Sequence, residues 1–580
     1  MTIFPETKLL PTYLFCYVAG EYLELKLEES KTYNGIPMSL YCIESLYKHM
    51  EELAPFIFEI TIESMRFFEN FFGYKYAFNK YDQIFAHEYK WGAMENAGIV
   101  TFNDLYIFKE KVSVERKLAL ANTISHELAH HWFGNLVTMK WWDDLWLNES
   151  FADFISHFCL EKIKGNVTTL SYESSMASFL QRKGWGYHED MMITTHPIRG
   201  KVANTSVADS IFDGITYSKG AATMKQLLFL MKEENFSKAL SEYFHKYEWN
   251  NATIEDFLEY MQRHFAIKEF TLTEWRQMWL EKASLNVIQA SWNPNDTSKD
   301  AKITIKQTPY TQEHPTLRLH KIKVAFFTEK FEVDVIDVLI LPQNETVAHY
   351  DGSKGYKAVL LNFEDHTFAK NIIDPVSLDF FINNINSIGD ILSRTLIWRS
   401  FFEMIKDAAM TSHKFVEVIT SSLAKESSDS IFERQFDFVH TAINHYTPKK
   451  ERDALNSTMF RYIYDLIPKI PADQQNRIVI LKSKLINFAY TNQEKQILIN
   501  WMNDQDQNLK DHPMTVGQRW STVVKAFTLP TLTIEEKEAI FEAQKALDPS
   551  DTAKNKRFTC DALKATEEEF EAIYESFKDP

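Results

Sequence analysis

The chain has 580 residues, and 63 Lys+Arg against 80 Asp+Glu leave a formal net charge of −17 at pH 7. That length exceeds what one hydrophobic core organises, so about three domains are expected. The negative balance argues against a nucleic-acid-binding surface, while 45% apolar and 25% charged residues exclude a wholly disordered chain.

No apolar run approaches the ~18 residues that a membrane-spanning helix needs. Cys16, Cys42, Cys159 and Cys560 form no closely spaced pair. They indicate neither a disulfide framework nor a thiolate metal site, and they suggest a reducing compartment. Residues 10–30 alternate apolar and polar side chains, Tyr13/Phe15/Tyr17 and then Leu23/Leu25/Leu27, which predicts half-buried strands. The apolar stretch Leu9–Gly20 contains Pro11 and has no basic lead, so it reads as a strand and not as a signal peptide. A helix is predicted over Ile43–Phe72, interrupted at Pro55. Ser113–Gly134 carries a strong helical pattern, with Ser113 as cap, Glu115 in the first turn and Gly134-Asn135 as the stop. Asn148–Lys164 reads as the next helix, capped by Asn148 and ended by Gly165.

Helical periodicity continues to about Leu285, and Pro294-Asn295-Asp296 then marks a linker. Residues 302–370 alternate tightly (Ile303/Ile305, Ile322/Val324, Phe331 to Leu341) and read as a small β-sandwich. From about Val376, helices broken at Asp429-Ser430 and Pro448-Lys449 read as an α-solenoid-like domain without a clean repeat. The acidic run Glu567-Glu568-Glu569 reads as a solvated helix face.

One segment carries the chemistry: His126-Glu127-Leu128-Ala129-His130. Histidines at i and i+4 leave a helix on the same face and can share a metal ion. By chance such a string arises in roughly 4% of chains this rich in histidine, a background the capped helix around it lowers. A hydrolytic zinc site takes three protein ligands and keeps a fourth position open. Glu149, at the start of the next predicted helix, is the natural third ligand. Glu127, one residue from a ligand, is placed to accept a proton from water and return it to a leaving amine. Asp153, four residues after Glu149, is predicted to accept the free imidazole N–H of His126.

With these residues assembled, His126-Glu127-x-x-His130 and Glu149 resemble the gluzincin zinc peptidases. Trp91-Gly92-Ala93-Met94-Glu95-Asn96-Ala97-Gly98 is similar to the exopeptidase motif of the aminopeptidase N and puromycin-sensitive aminopeptidase family. The resemblance implies a thermolysin-like catalytic domain, one Zn2+ per chain and removal of single residues from peptide N-termini. In that reading Glu95 grips the free α-ammonium by charge-assisted hydrogen bonds. A blocked terminus would leave the carboxylate unpaired, which rejects such substrates. Small Gly92 and Ala93 let the strand approach a substrate backbone, and Met94 and Asn96 belong to the same substrate-binding set. The resemblance also makes Tyr217, in Asp213-Gly214-Ile215-Thr216-Tyr217-Ser218-Lys219-Gly220, the donor to the oxyanion. Trp91 is expected in the pocket for the first side chain.

The expected fold class is therefore multidomain α+β. Residues 1–25 would be the last strands of a truncated N-terminal β-domain, 26–287 the thermolysin-like catalytic domain, 288–375 the β-sandwich and 376–580 an incomplete helical domain. A missing wall would expose apolar surface and raise KM. The expected partners are peptides with a free N-terminus, with no nucleic acid and no membrane segment, and the expected location is cytoplasmic. The sequons Asn166-Val167-Thr168 and Asn344-Glu345-Thr346 carry little weight without an export signal. Two other functions stay open: a zinc endopeptidase, against which Glu95 argues, and a catalytically idle peptide-binding module. Ala93 stands where epoxide-hydrolysing relatives have glycine, which ranks that activity low.

Overall fold

The computed structural model describes residues 6–209, 211–548 and 552–563, so the acidic run at 567–569 lies outside it. Strand β1 (Tyr22–Lys26) pairs antiparallel with β2 (Ser39–Ile43), and β2 runs parallel to β3 (Asp82–Ala86). The two-residue β4 (Ala93–Met94) ends the sheet, antiparallel to β5 (Ile99–Asn103), which itself lies parallel to β3. Gly98 turns the chain between β4 and β5 at φ 77°, a conformation that suits glycine.

Residues 10–20 form no strand, contrary to their alternation. Thr12–Leu14 is a 3-10 turn, and Phe15 and Tyr17 are 81% and 82% exposed. An alternating segment becomes a strand only where a neighbour accepts its backbone hydrogen bonds; β1 has that neighbour in β2.

Helix α1 (Glu44–Phe72) runs straight through Pro55, so the predicted interruption does not occur. Pro55 faces solvent, while Ala54, Phe56, Ile57, Phe58 and Ile60 are buried, and that packing offsets the missing backbone donor. Helix α2 (Val114–Ala129) starts as predicted: Ser113 Oγ accepts from Arg116 N at 3.4 Å, and Glu115 lies in the first turn. It ends at Ala129, ahead of Gly134. Helix α3 (Leu145–Ile163) begins three residues before Asn148, because the 3-10 turn Trp142–Asp144 leads into it. Asn148 is thus inside the first turn and is not the cap. Helix α3 packs between α2 and α4 (Ser175–Asp190), around a core that includes Phe72, Trp132, Phe133, Trp146 and Phe151.

A three-stranded sheet (Val333–Ile340, His320–Phe327, Ala358–Phe363) and a four-stranded one (Glu345–Tyr350, Ala301–Pro309, Asn286–Trp292, Ala369–Ile372) follow. Ile288, Ile303 and Ile305 of one sheet meet Ile322, Val324 and Leu361 of the other in a single apolar cluster, the arrangement of a sandwich. The described residues from Met404 onward form a separate helical unit. There Ser412–Ser422, Asp429–Tyr446, Lys449–Leu466 and Gln475–Asn487 each pack on the next. Reciprocal capping boxes at Thr491/Glu494, Thr515/Gln518 and Thr533/Glu536 start later helices. Among the described residues no helix is long and apolar enough to cross a membrane.

Candidate active site

Helical geometry over the end of α2 sends His126 and His130 out of one face, and α3 brings Glu149 against them. The two Nε2 atoms lie 3.0 Å apart, and Glu149 Oε2 lies 3.4 Å from His126 Nε2 and 3.5 Å from His130 Nε2. Three donors held tetrahedrally at the usual Zn–N and Zn–O lengths stand about 3.3–3.5 Å from one another. The donor set and both Glu149 separations fit a zinc ion, with the two imidazole nitrogens, at 3.0 Å, slightly closer than that spacing.

The tautomer agrees. His130 Nδ1 faces two acceptors, Asn148 Oδ1 at 2.8 Å and Phe133 O at 3.1 Å, so the hydrogen sits on Nδ1 and the lone pair on Nε2 points into the cluster. A Cβ at Gly134 would lie 2.6 Å from Asn148 Oδ1, so glycine keeps that acceptor in place. Replacing Asn148 with alanine is expected to weaken zinc affinity by about 10–100-fold, the usual cost of losing a group that orients a metal-bound imidazole. Competition with a chromogenic chelator measures it; unchanged affinity would refute the role.

Two carboxylates of the cluster, Glu127 and Glu149, have opposite tendencies. Burial pushes the Glu127 carboxyl well up, reinforced by Glu95 and Glu149. Burial would raise Glu149 too, but the His130 and His126 imidazoles outweigh it and hold that carboxyl low. One acid thus keeps affinity for a proton while the other stays anionic and suited to holding a cation. A Glu95 carboxylate oxygen, a Glu127 carboxylate oxygen and a His130 ring nitrogen lie within 4.8 Å of one another, and Glu95 is 5% exposed. Asn135 Nδ2 donates to the Glu95 carbonyl at 2.9 Å and anchors that turn beside α2.

Gly92 O accepts from Asn103 N at 2.9 Å, and Ala93 and Met94 form the edge strand β4. Asn96 is held from two sides: its Oδ1 accepts from Thr101 Oγ1 at 3.0 Å and its Nδ2 reaches Leu14 O at 3.4 Å. Tyr217 sits in a π-helical turn, Ile215–Lys219, with its ring 6.4 Å from that of His126 and 5.7 Å from that of Trp185. Burial, then Glu149, raises its phenol well above the ordinary value, which keeps it a hydrogen-bond donor.

Residues 56–279 match the family model of the peptidase family M1 domain, and residues 358–578 match that of the ERAP1-like C-terminal domain. Over all of its length the chain is 30% identical to Aminopeptidase N of Streptomyces lividans, across 67% of that protein. The chain belongs to peptidase family M1. It is also 34% identical to Aminopeptidase 2, mitochondrial, of Saccharomyces cerevisiae, over 53% of this chain and 31% of that one. Against human glutamyl aminopeptidase the identity is 32%, over 50% of this chain and 29% of the relative.

Other residues of this M1 peptidase lie where the sequence did not put them. Asp153 is not hydrogen-bonded to His126; its two oxygens take Arg182 Nε at 3.1 and 3.4 Å. A guanidinium reaching over from α4 offers a charged donor, which a carboxylate prefers to a neutral imidazole. Trp91 is 54% exposed, edge-on to Tyr89 at 5.9 Å with Lys90 Nζ 4.9 Å over its ring. Tyr89 is within electrostatic reach of the acids, its hydroxyl pushed up to about 12 by burial and then by Glu127. Tyr13 also reaches the site: its buried hydroxyl lies near Glu95 and Glu149, and its ring packs edge-on against Trp142 at 5.6 Å. Neither tyrosine carried a local signal. For Asn148, its position directly before Glu149 was the available clue.

Proposed function

We propose that this chain is a zinc aminopeptidase that hydrolyses the first peptide bond of peptides with a free N-terminus. The observation that carries the reading is the buried Glu95 carboxylate beside the His126/His130/Glu149 triad. An acid so placed serves a substrate cation next to the metal, which an endopeptidase has no use for. The names of the aminopeptidase relatives support the same class of reaction. The free state of Cys16, Cys42, Cys159 and Cys560 fits a reducing, cytoplasmic location.

His126, His130 and Glu149 would hold the zinc, which supplies Lewis acidity that polarises a carbonyl and acidifies water. The protein side of the reaction follows from its own residues. Glu95 binds the α-ammonium and sets the register, so that the first peptide bond is the one presented. The free edge of β4 pairs with the substrate backbone. Glu127 accepts a proton from the attacking water and delivers it to the leaving amine, so no net proton is consumed within the site. Tyr217 donates its hydroxyl hydrogen to the oxygen on which charge develops.

Aminoacyl reporters, free and N-acetylated, with and without a chelator, test this. Cleavage of the free forms alone, abolished by chelation and restored by zinc, is the expected result. Preference for acetylated reporters would favour an endopeptidase, and no cleavage by a zinc-loaded chain would favour an idle peptide-binding module.

A further inference from the structure

The turn that presents Tyr217 is held at both ends by ion pairs that belong to neither the metal cluster nor the amine pocket. At its N-terminal end, Asp213 Oδ1 accepts from Ile215 N and Thr216 N, each at 2.9 Å. Asp213 Oδ2 takes His196 Nε2 at 2.6 Å, and His196 Nδ1 faces Pro197 O at 2.8 Å. Both ring nitrogens thus face acceptors, the pattern of an imidazolium paired with a carboxylate. At the other end, buried Lys219 Nζ donates to Asp190 Oδ1 at 2.9 Å and to Ser284 O at 3.0 Å.

The middle of the turn is tied to the ligand helix. Ser150, next to Glu149 on α3, donates from Oγ to Thr216 O at 2.5 Å. Close contact is possible because the neighbours lack side chains: a Cβ at Gly220 would fall 1.9 Å from Ser150 Oγ, and one at Gly214 would fall 2.7 Å from the Trp185 backbone. A π turn carries one residue more per hydrogen-bonded loop than an α-helix and is intrinsically less favourable, so outside contacts must specify it. Asp213 satisfies two amides that such a turn leaves without helical partners.

From this we infer that Asp213 and His196 are positioning residues for the reaction, acting through the π turn to aim the Tyr217 hydroxyl at the oxyanion. The inference rests on the aminopeptidase reading and deepens it. A misaimed donor costs transition-state stabilisation and leaves substrate binding alone, because the amine is gripped by Glu95 on a different element.

The experiment combines single and double variants with free aminoacyl reporters. Asp213→Ala and His196→Ala are expected to lower kcat by about 10–100-fold with KM changed less than about twofold. His196→Gln, which keeps a side-chain donor, is expected to recover part of the loss. In a Tyr217→Phe background, Asp213→Ala should cost less than about twofold more, since residues acting as one unit are not additive. A readout apart from turnover is the calorimetric Kd of a phosphinic peptide analogue, expected to weaken in step with kcat while the Kd of the free amino acid product holds. Full additivity with Tyr217→Phe, or a rise in KM equal to the fall in kcat, would overturn the inference and leave the aminopeptidase reading intact. Tyr217→Phe at full rate would instead overturn the oxyanion role itself. Should Asp213→Ala not fold, His196→Ala decides the matter, because that side chain is 34% exposed.

Discussion

Glu127→Gln is expected to lower kcat on free aminoacyl reporters by about 10²–10⁴-fold, with zinc still bound at one ion per chain. The carboxamide has the shape of the carboxylate and touches no ligand, so metal binding and fold should persist. What is lost is a proton acceptor in a dry site: Glu127 is 5% exposed, and its Oε2 has no hydrogen-bond partner among the described residues. A Glu127 carboxylate oxygen lies within 4.8 Å of a Glu95 carboxylate oxygen and a His130 ring nitrogen, close enough for the proposed proton transfer. Steady-state kinetics with metal analysis of the same preparation measure the effect. A zinc-loaded variant that keeps more than about a tenth of the wild-type rate would remove Glu127 from the role of base.

The second large effect concerns stability. Lys183 on α4 places Nζ 2.6 Å from Asp365 Oδ1 and 2.9 Å from Thr367 O, and Lys225 Nζ stands 3.6 Å from Asp365 Oδ2. The Lys183 and Asp365 side chains are 1% and 0% exposed. Asp365 also sits in a turn with three left-handed residues, Asn362, Glu364 and Asp365, at φ 57°, 62° and 59°. A strained turn of this kind persists only where its surroundings over-determine it. Burial pulls the Lys183 ammonium down to about 8, and Asp365 is the first group that opposes that fall. Asp365→Ala removes the counter-charge of a buried lysine that still lies beside Lys225, a loss that typically costs about 3–5 kcal/mol. The expected observation is a lower urea midpoint for the unit that ends at Glu403. Wild-type stability of Asp365→Ala would disprove the role.

The residues that the sequence placed well share one property: their signal is local. Ser113 and Glu115 begin α2 because a cap and a first-turn acid act within four residues. His126 and His130 converge because helical pitch brings i and i+4 together, and the strands around Ile303 and Ile322 alternate as their sheets require. Pro55 misled for the converse reason. A local rule against proline is outweighed by a helix whose apolar face is buried along its whole length. The alternation of Tyr13 to Tyr17 misled because no neighbouring strand receives it.

The amino-acid order alone therefore determined that His126, His130 and Glu149 come together as candidate ligands with Glu127 between the histidines, and that a β-rich stretch precedes a helical region. Each of these is written in spacings of a turn, a pleat or a short motif. Only the tertiary structure decided which partner each polar group takes: Asn148 for His130, Arg182 for Asp153, Ser150 for the turn of Tyr217, and Asp365 for Lys183 across a separation of 182 residues. Such partners compete on distance and desolvation in a packed interior, and no spacing along the chain encodes who wins.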